Sequence, residues 1–243
     1  MSLSFDPQSG PTSLHALRHS VSHIMADAVL RLFPEAKVAI GPPIDHGFYY
    51  DFELPRALTD EDLPLIEDEM RKILGAGNDF TRTTMTREQA VVRISESDQP
   101  YKVELLDDIP DGEEISFYDH GTWSDLCEGP HVESTKQIRY DAFKLLSVAG
   151  AYWRGNENNP QLTRVYGISF PKQKYLEEHL VFLEEAKKRD HRKLGKELEL
   201  FTFSQRVGAG LPLWLPKGAA LRSRLEDFLK IAQKKAGYEM VMT

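Results

Sequence analysis

From Leu14 to Phe33 the apolar residues recur at helical spacing. Leu14, Leu17, Val21, Ile24, Met25, Ala28 and Leu32 fall on one stripe, with Ser13 placed as an N-cap. The pattern predicts an amphipathic helix whose stripe faces a core. At about 100° per residue, His15, His19 and His23 lie roughly 140 to 200° from the centre of that stripe, beside Ala26 and Leu30. The histidines are expected to look toward something other than the main core.

The stretch KVAIGPPIDHGFYYDFEL reads as two strands around a Pro/Gly turn, with Phe48, Tyr50 and Phe52 alternating against Tyr49, Asp51 and Glu53. One face of this hairpin is aromatic. TDEDLPLIEDEMRKILG predicts a helix opened by a Thr59/Asp62 capping pair and stopped by Gly75; TREQAVVRI repeats the start signal with Thr86 and Gln89. Strands are expected at ISFYDH, FKLLSVAGAYW and LTRVYGISF. Helices and strands mixed in this order predict an α+β domain over residues 13–170, after an N-terminus, residues 1–12, expected to be disordered. Beyond Pro171 the pattern becomes a charged helix with Leu176, Leu180 and Leu183 on one side, read as a linker over 171–190. Residues 191–243 then open a second unit: a strand, a Gly/Pro-rich loop, a helix and the start of another strand.

Composition narrows the class. The chain has 243 residues, 41% hydrophobic and 28% charged, and lacks any apolar run near the roughly 20 residues that span a bilayer. No membrane insertion is expected, and MSLSFDPQSG carries no secretory signal pattern. The one cysteine, Cys127, has no internal disulfide partner, which suits a reducing cytoplasm. The net charge of −8 is uneven: residues 1–169 hold 15 Lys and Arg against 28 Asp and Glu, and residues 170–243 hold 15 against 10. The basic end, densest in AKKRDHRKLGK, is either a solvated helix or a surface near phosphates.

Candidate chemistry gathers at two short stretches. HSVSH places His19 and His23 four residues apart, and DLCEGPH places Cys127 and His131 at the same separation. Such N/S ligands commonly hold zinc, and side chains at i and i+4 of a helix can meet one ion. The first pair has no Glu between its histidines, so it is not the HExxH protease motif. Each pair alone also fits a surface or structural role; the two together point to a site.

At this level HSVSH, IGPPIDHGFYYDF, YKVELL, DLCEGPH, AGAYWRG and RDHRKLGKELELF, in this order and at these separations, resemble bacterial-type threonyl-tRNA synthetase. The resemblance runs from about residue 13 over nearly the whole chain. It implies an editing domain of the fold shared with alanyl-tRNA editing proteins, a connector helix, and a truncated start of a class II antiparallel-sheet catalytic domain. The ubiquitin-like domain, ATP-binding motifs and anticodon-binding domain of the family are not found in these residues. The chain by itself is therefore expected not to aminoacylate, with ATP and Mg belonging to the full-length ligase, which in the family is a homodimer.

What the resemblance implies is hydrolysis of serine from mischarged tRNA(Thr). Serine lacks one methyl of threonine, and a pocket gains only about 1–3 kcal/mol from such a group, so fidelity needs a second, hydrolytic site. His19, His23, Cys127 and His131 match the family's site positions, with Lys102 and Asp125 beside them. By this reading Lys102 supplies positive charge to the oxyanion or positions the terminal ribose, and Asp125 orients a histidine or binds the substrate ammonium. Tyr50 either lines the pocket or belongs to the core. Trp153 and Arg154 are read as structural. No metal is expected to be required, although zinc on His19, His23, Cys127 and His131 stays open. Two rival readings use the same residues: a zinc-dependent hydrolase of small esters or peptides, and a non-catalytic tRNA-binding module.

Overall fold

The computed structural model describes residues 13–208 and 210–241, so the expectation for residues 1–12 lies outside the described residues. The chain divides into two compact units, Met1–Glu178 and His179–Thr243.

In the first unit the elements run α1 (Leu14–Leu32), β1 (Lys37–Val38), β2 (Pro43–Ile44), β3 (Gly47–Glu53), α2 (Asp62–Ala76), β4 (Thr81–Met85), α3 (Arg87–Glu96), α4 (Pro100–Asp107), β5 (Ile115–His120), β6 (Trp123–Leu126), β7 (Phe143–Tyr152) and β8 (Gln161–Ser169). Ser13 caps α1 as its spacing predicts, its Oγ accepting from the Ala16 N–H at 3.1 Å. A five-stranded antiparallel sheet has the order β1-β3-β8-β7, with β2 also on β3; a second antiparallel sheet has the order β4-β5-β6. The mixture agrees with the expected α+β class.

The pleat of β3 sends Phe48, Tyr50 and Phe52 inward, all fully buried, against Val21, Ile24 and Met25 of α1 and Ile66, Met70 and Ile73 of α2. Burial of each such side chain stabilises the fold by about 1.5–3 kcal/mol. The opposite face is not simply polar: Asp51 is buried, held by both oxygens to the Arg164 guanidinium at 2.7 and 2.8 Å. A smaller cluster of Ala90, Ile94, Leu106, Ile115 and Phe117 joins α3 and α4 to the second sheet.

Several expectations change. Helix α2 runs through Gly75 and ends at Gly77, whose left-handed φ of 70° closes it. Asp62 lies inside that helix and accepts from the Thr59 N–H at 2.8 Å, so the pair bonds with the acid as acceptor. Strands β4 and β6, TRTTM and WSDL, have no clear alternation and exist through pairing with β5. The face of α1 opposite its stripe is not exposed: every residue from Ala16 to Val29 is buried.

The second unit begins within α5 (Gln173–Lys188) and continues as α6 (His191–Glu197), β9 (Phe201–Thr202), β10 (Leu213–Trp214) and α7 (Pro216–Lys235). Helix α6 stands ahead of the expected strand, capped by Asp190 on the Arg192 N–H at 2.8 Å. β9 and β10 pair antiparallel, and Gly218 of α7 lies against the Leu200 carbonyl, where a Cβ would be 1.9 Å from that oxygen. The expected last strand is not formed among the described residues.

Candidate active site

Helix α1 and the loop after β6 build one half of the site. His19 and His23, one turn apart on α1, stand with ring centroids 4.9 Å apart, and His131 reaches 4.2 Å from each. Cys127 Sγ lies 3.3 Å from both His19 Nε2 and His131 Nε2. One ligating atom from each of the four side chains falls within 4.8 Å of the others. The loop can do this because Gly129 holds φ 89°, and because its missing Cβ leaves room for Tyr118, whose hydroxyl would lie 2.5 Å from one. Its N–H donates to Cys127 Sγ at 3.3 Å.

Burial sets the protonation of this half. Desolvation lowers His19 to about 4 against a bond from its ring to the Pro130 carbonyl, and lowers His131 to about 2, helped by the neighbouring histidines. His23 is also pushed down, first by burial and then by the charges His131, His19 and Lys102 would carry beside it. Cys127 is pushed up to about 12 by burial and by Asp125. At neutral pH the cluster is three imidazoles and a thiol, all uncharged.

The other half carries charge. Lys102 is not an exposed helix lysine: α4 turns it inward, 5% exposed, where Nζ meets Asp125 Oδ1 at 2.6 Å. Tyr50 donates to Asp125 Oδ2 at 2.6 Å and accepts from Lys102 Nζ at 3.0 Å. Its phenol is pushed well above its ordinary value by burial and by Asp125. Tyr50 thus belongs both to the core and to the site, and its ring fits because Gly41 has no side chain; a Cβ there would lie 1.9 Å from Tyr50 Cδ2. His23 Nε2 is 3.9 Å from Asp125 Oδ2, beyond hydrogen-bond reach, and links the halves.

Residues 115–166 match the family model of the Threonyl and Alanyl tRNA synthetase second additional domain. The chain is 55% identical over 232 residues to the threonine–tRNA ligase of Dehalococcoides mccartyi, covering 96% of this chain and 39% of that protein. It is 55% identical over 236 residues to that of Gloeobacter violaceus, covering 97% and 38%, and 51% identical over 241 residues to that of Acetivibrio thermocellus, covering 99% and 37%. The chain belongs to the threonine–tRNA ligase family. It spans 37–39% of the length of these curated relatives.

All seven residues singled out in the sequence come together in the first unit: His19, His23, Tyr50, Lys102, Asp125, Cys127 and His131. Trp153 lies elsewhere, buried, with Nε1 donating to Glu104 at 2.8 Å, and Arg154 pairs with Asp108 at 2.6 Å, which fits their structural reading. Sequence reasoning missed the walls. Phe80 stacks on His131 at 5.1 Å, Trp123 meets the edge of His23 at 5.0 Å, and Ser20 is buried beside His131. A serine in the interior of a helix between two histidines was the available signal.

The donor set also suits zinc. His19 bonds a carbonyl through Nδ1, leaving Nε2 as a lone pair; His23 Nδ1 is buried without a partner among the described residues; Cys127 supplies sulfur.

Proposed function

We propose that this part of a threonine–tRNA ligase hydrolyses the ester joining serine to the terminal ribose of tRNA(Thr), and that the aminoacylation chemistry of the relatives lies outside these 243 residues. The observation that supports it is the meeting of uncharged acceptor nitrogens with a buried cation. Ester hydrolysis needs an oriented water, stabilisation of a developing oxyanion, and a proton for the leaving ribose oxygen.

The residues divide these tasks. Lys102 uses two of its three N–H donors on Asp125 and Tyr50, which leaves the third for the carbonyl oxygen or the ribose. Held in a site with little water, that charge stabilises an oxyanion more than it would in solvent. His19 and His131, whose rings are lowered to about 4 and about 2, stay neutral, and the one not bonded to the Cys127 thiol orients a water by accepting one of its hydrogens; the proton that the water loses on attack ends on the leaving ribose oxygen. Asp125 fixes Lys102 and offers a carboxylate to the amino group of serine. Packed aromatic walls around His23 and His131 give a rigid boundary against which one extra methyl is rejected. A zinc ion on His19, His23, Cys127 and His131 would add Lewis acidity toward a bound water; hydrolysis by this reading does not require it.

The four converging ligand atoms favour one rival, a zinc hydrolase of small esters or peptides. The 243-residue chain is incubated with seryl- and threonyl-tRNA(Thr), and ester loss is followed with and without a chelator. Faster loss of serine than threonine, unaffected by chelation, is expected. Loss of activity on chelation together with turnover of simple esters establishes the zinc hydrolase; binding of tRNA without deacylation establishes a binding module.

A further inference from the structure

We infer that Ser20 is a positioning residue whose hydroxyl fixes the His131 proton on Nδ1 and so presents Nε2 as a lone pair toward Cys127. Its consequence for rate rests on the deacylase reading; the proton position does not.

Ser20 is fully buried, and its Oγ has three polar neighbours: the Ala16 carbonyl at 2.8 Å, the Val132 N–H at 3.0 Å and His131 Nδ1 at 3.1 Å. A hydroxyl has one proton and two lone pairs. The Ala16 carbonyl accepts only, and the Val132 amide donates only. Giving the hydroxyl proton to the carbonyl and one lone pair to the amide leaves a single lone pair, which requires a donor from His131. The alternative sends the hydroxyl proton to the imidazole and leaves two oxygens 2.8 Å apart with no hydrogen between them. The Nδ1–H form follows, and in the neutral ring Nε2 is then the acceptor.

His19 reaches the same state by another route, since the Pro130 carbonyl at 3.2 Å accepts from its Nδ1. The two devices interlock: a loop residue sets the helix histidine, and a helix residue sets the loop histidine. Two acceptor nitrogens therefore face one thiol at 3.3 Å. A thiol has one proton, so one nitrogen always keeps a lone pair for a water. Ser20 touches no reacting atom and acts through His131.

The test is carried out on the 243-residue chain labelled with ¹⁵N-histidine, with His131 assigned by comparison with His131→Gln. Nitrogen chemical shifts separate the two neutral tautomers. The unsubstituted protein is expected to show Nδ1–H at His131, and an Nε2–H ring there overturns the inference without reference to tRNA. Ser20→Ala is expected to move the proton to Nε2 and to lower kcat for seryl-tRNA(Thr) by about 10- to 100-fold with KM unchanged, the size common for groups that orient a site residue. Ser20→Thr keeps the hydroxyl and is expected to keep both the tautomer and the rate; its spectrum decides the matter where Ser20→Ala does not fold. A Ser20→Ala protein that retains Nδ1–H, or that changes tautomer at unchanged kcat, overturns the inference. Absence of deacylation by the unsubstituted chain removes the deacylase reading alone.

Discussion

His19, His131 and Cys127 are held at depth in their uncharged forms, while Lys102 and Asp125, only a few ångströms away and equally buried, face each other at 2.6 Å as an ion pair. The neutral half avoids the cost of burying charge by giving up protons or keeping them. The charged half offsets that cost by direct pairing and by the Tyr50 hydroxyl, which bridges both partners. The difference teaches what each half can offer a substrate: lone pairs on one side, a fixed positive charge on the other.

The largest effect comes from breaking the charged half. Lys102→Met leaves the Asp125 carboxylate buried without its cation and is expected to lower stability by about 3–5 kcal/mol in urea unfolding. The double variant Lys102→Met/Asp125→Leu is expected to recover much of that loss without recovering deacylation. A single variant as stable as the parent would mean that the pair is not the compensated charge described here.

Breaking the neutral half is expected to act on rate more than on fold. His19→Ala/His23→Ala removes a water-orienting acceptor and the histidine packed beside it, and serine release is expected to fall by at least about 100-fold. Both histidines are buried, so a stability loss of about 1–3 kcal/mol accompanies the change. Normal deacylation by this variant would leave the pair a purely structural role.

The neutral half also predicts a pH dependence of stability. Histidine in the unfolded chain takes up its proton near pH 6.5, whereas folded His19 does so near 4 and His131 lower still. The unfolded state binds more protons in between, so stability is full above about pH 6.5 and falls as the pH drops toward 4. Each such histidine contributes up to about 1.4 kcal/mol per pH unit. Chemical unfolding between pH 7 and 4, with chelator present, measures the slope, and His131→Asn is expected to flatten it. A slope unchanged by that substitution would mean that the ring is not held neutral.

The smallest effect is expected in the second unit. Phe228 on α7 is 67% exposed, and Phe228→Ser is expected to change the stability of the 243-residue chain by no more than about 0.5 kcal/mol. A loss comparable to that of a core substitution such as Met25→Ala, expected at about 2–5 kcal/mol, would show α7 packed in solution.

Local signals were legible wherever the deciding interaction spans a few residues. Ser13 caps α1, and Thr86 with Gln89 forms a reciprocal capping box, because each bond closes within three residues. The alternation in β3 named its buried aromatics. At LGAGN, two glycines two residues apart fit the same helix end, and only the left-handed backbone at Gly77, beside Lys136, distinguishes them. Helices α1 and α7 have similar lengths and apolar spacing, yet α1 is buried along Ala16–Val29 while Gly218 is the buried residue of α7 among those described.

The sequence by itself determined the residue types of the site, their two four-residue spacings and the family they resemble. Tertiary structure alone decided that Lys102 turns inward, that β6 exists and carries Asp125, that Tyr50 joins core to site, and that Ser20 and Pro130 govern the proton positions of two histidines. The physical reason is separation along the chain. A helix period or a cap is a property of neighbouring residues, whereas desolvation, ion pairing and tautomer choice depend on atoms brought together from distant stretches of chain, across as many as 111 positions for Ser20 and His131.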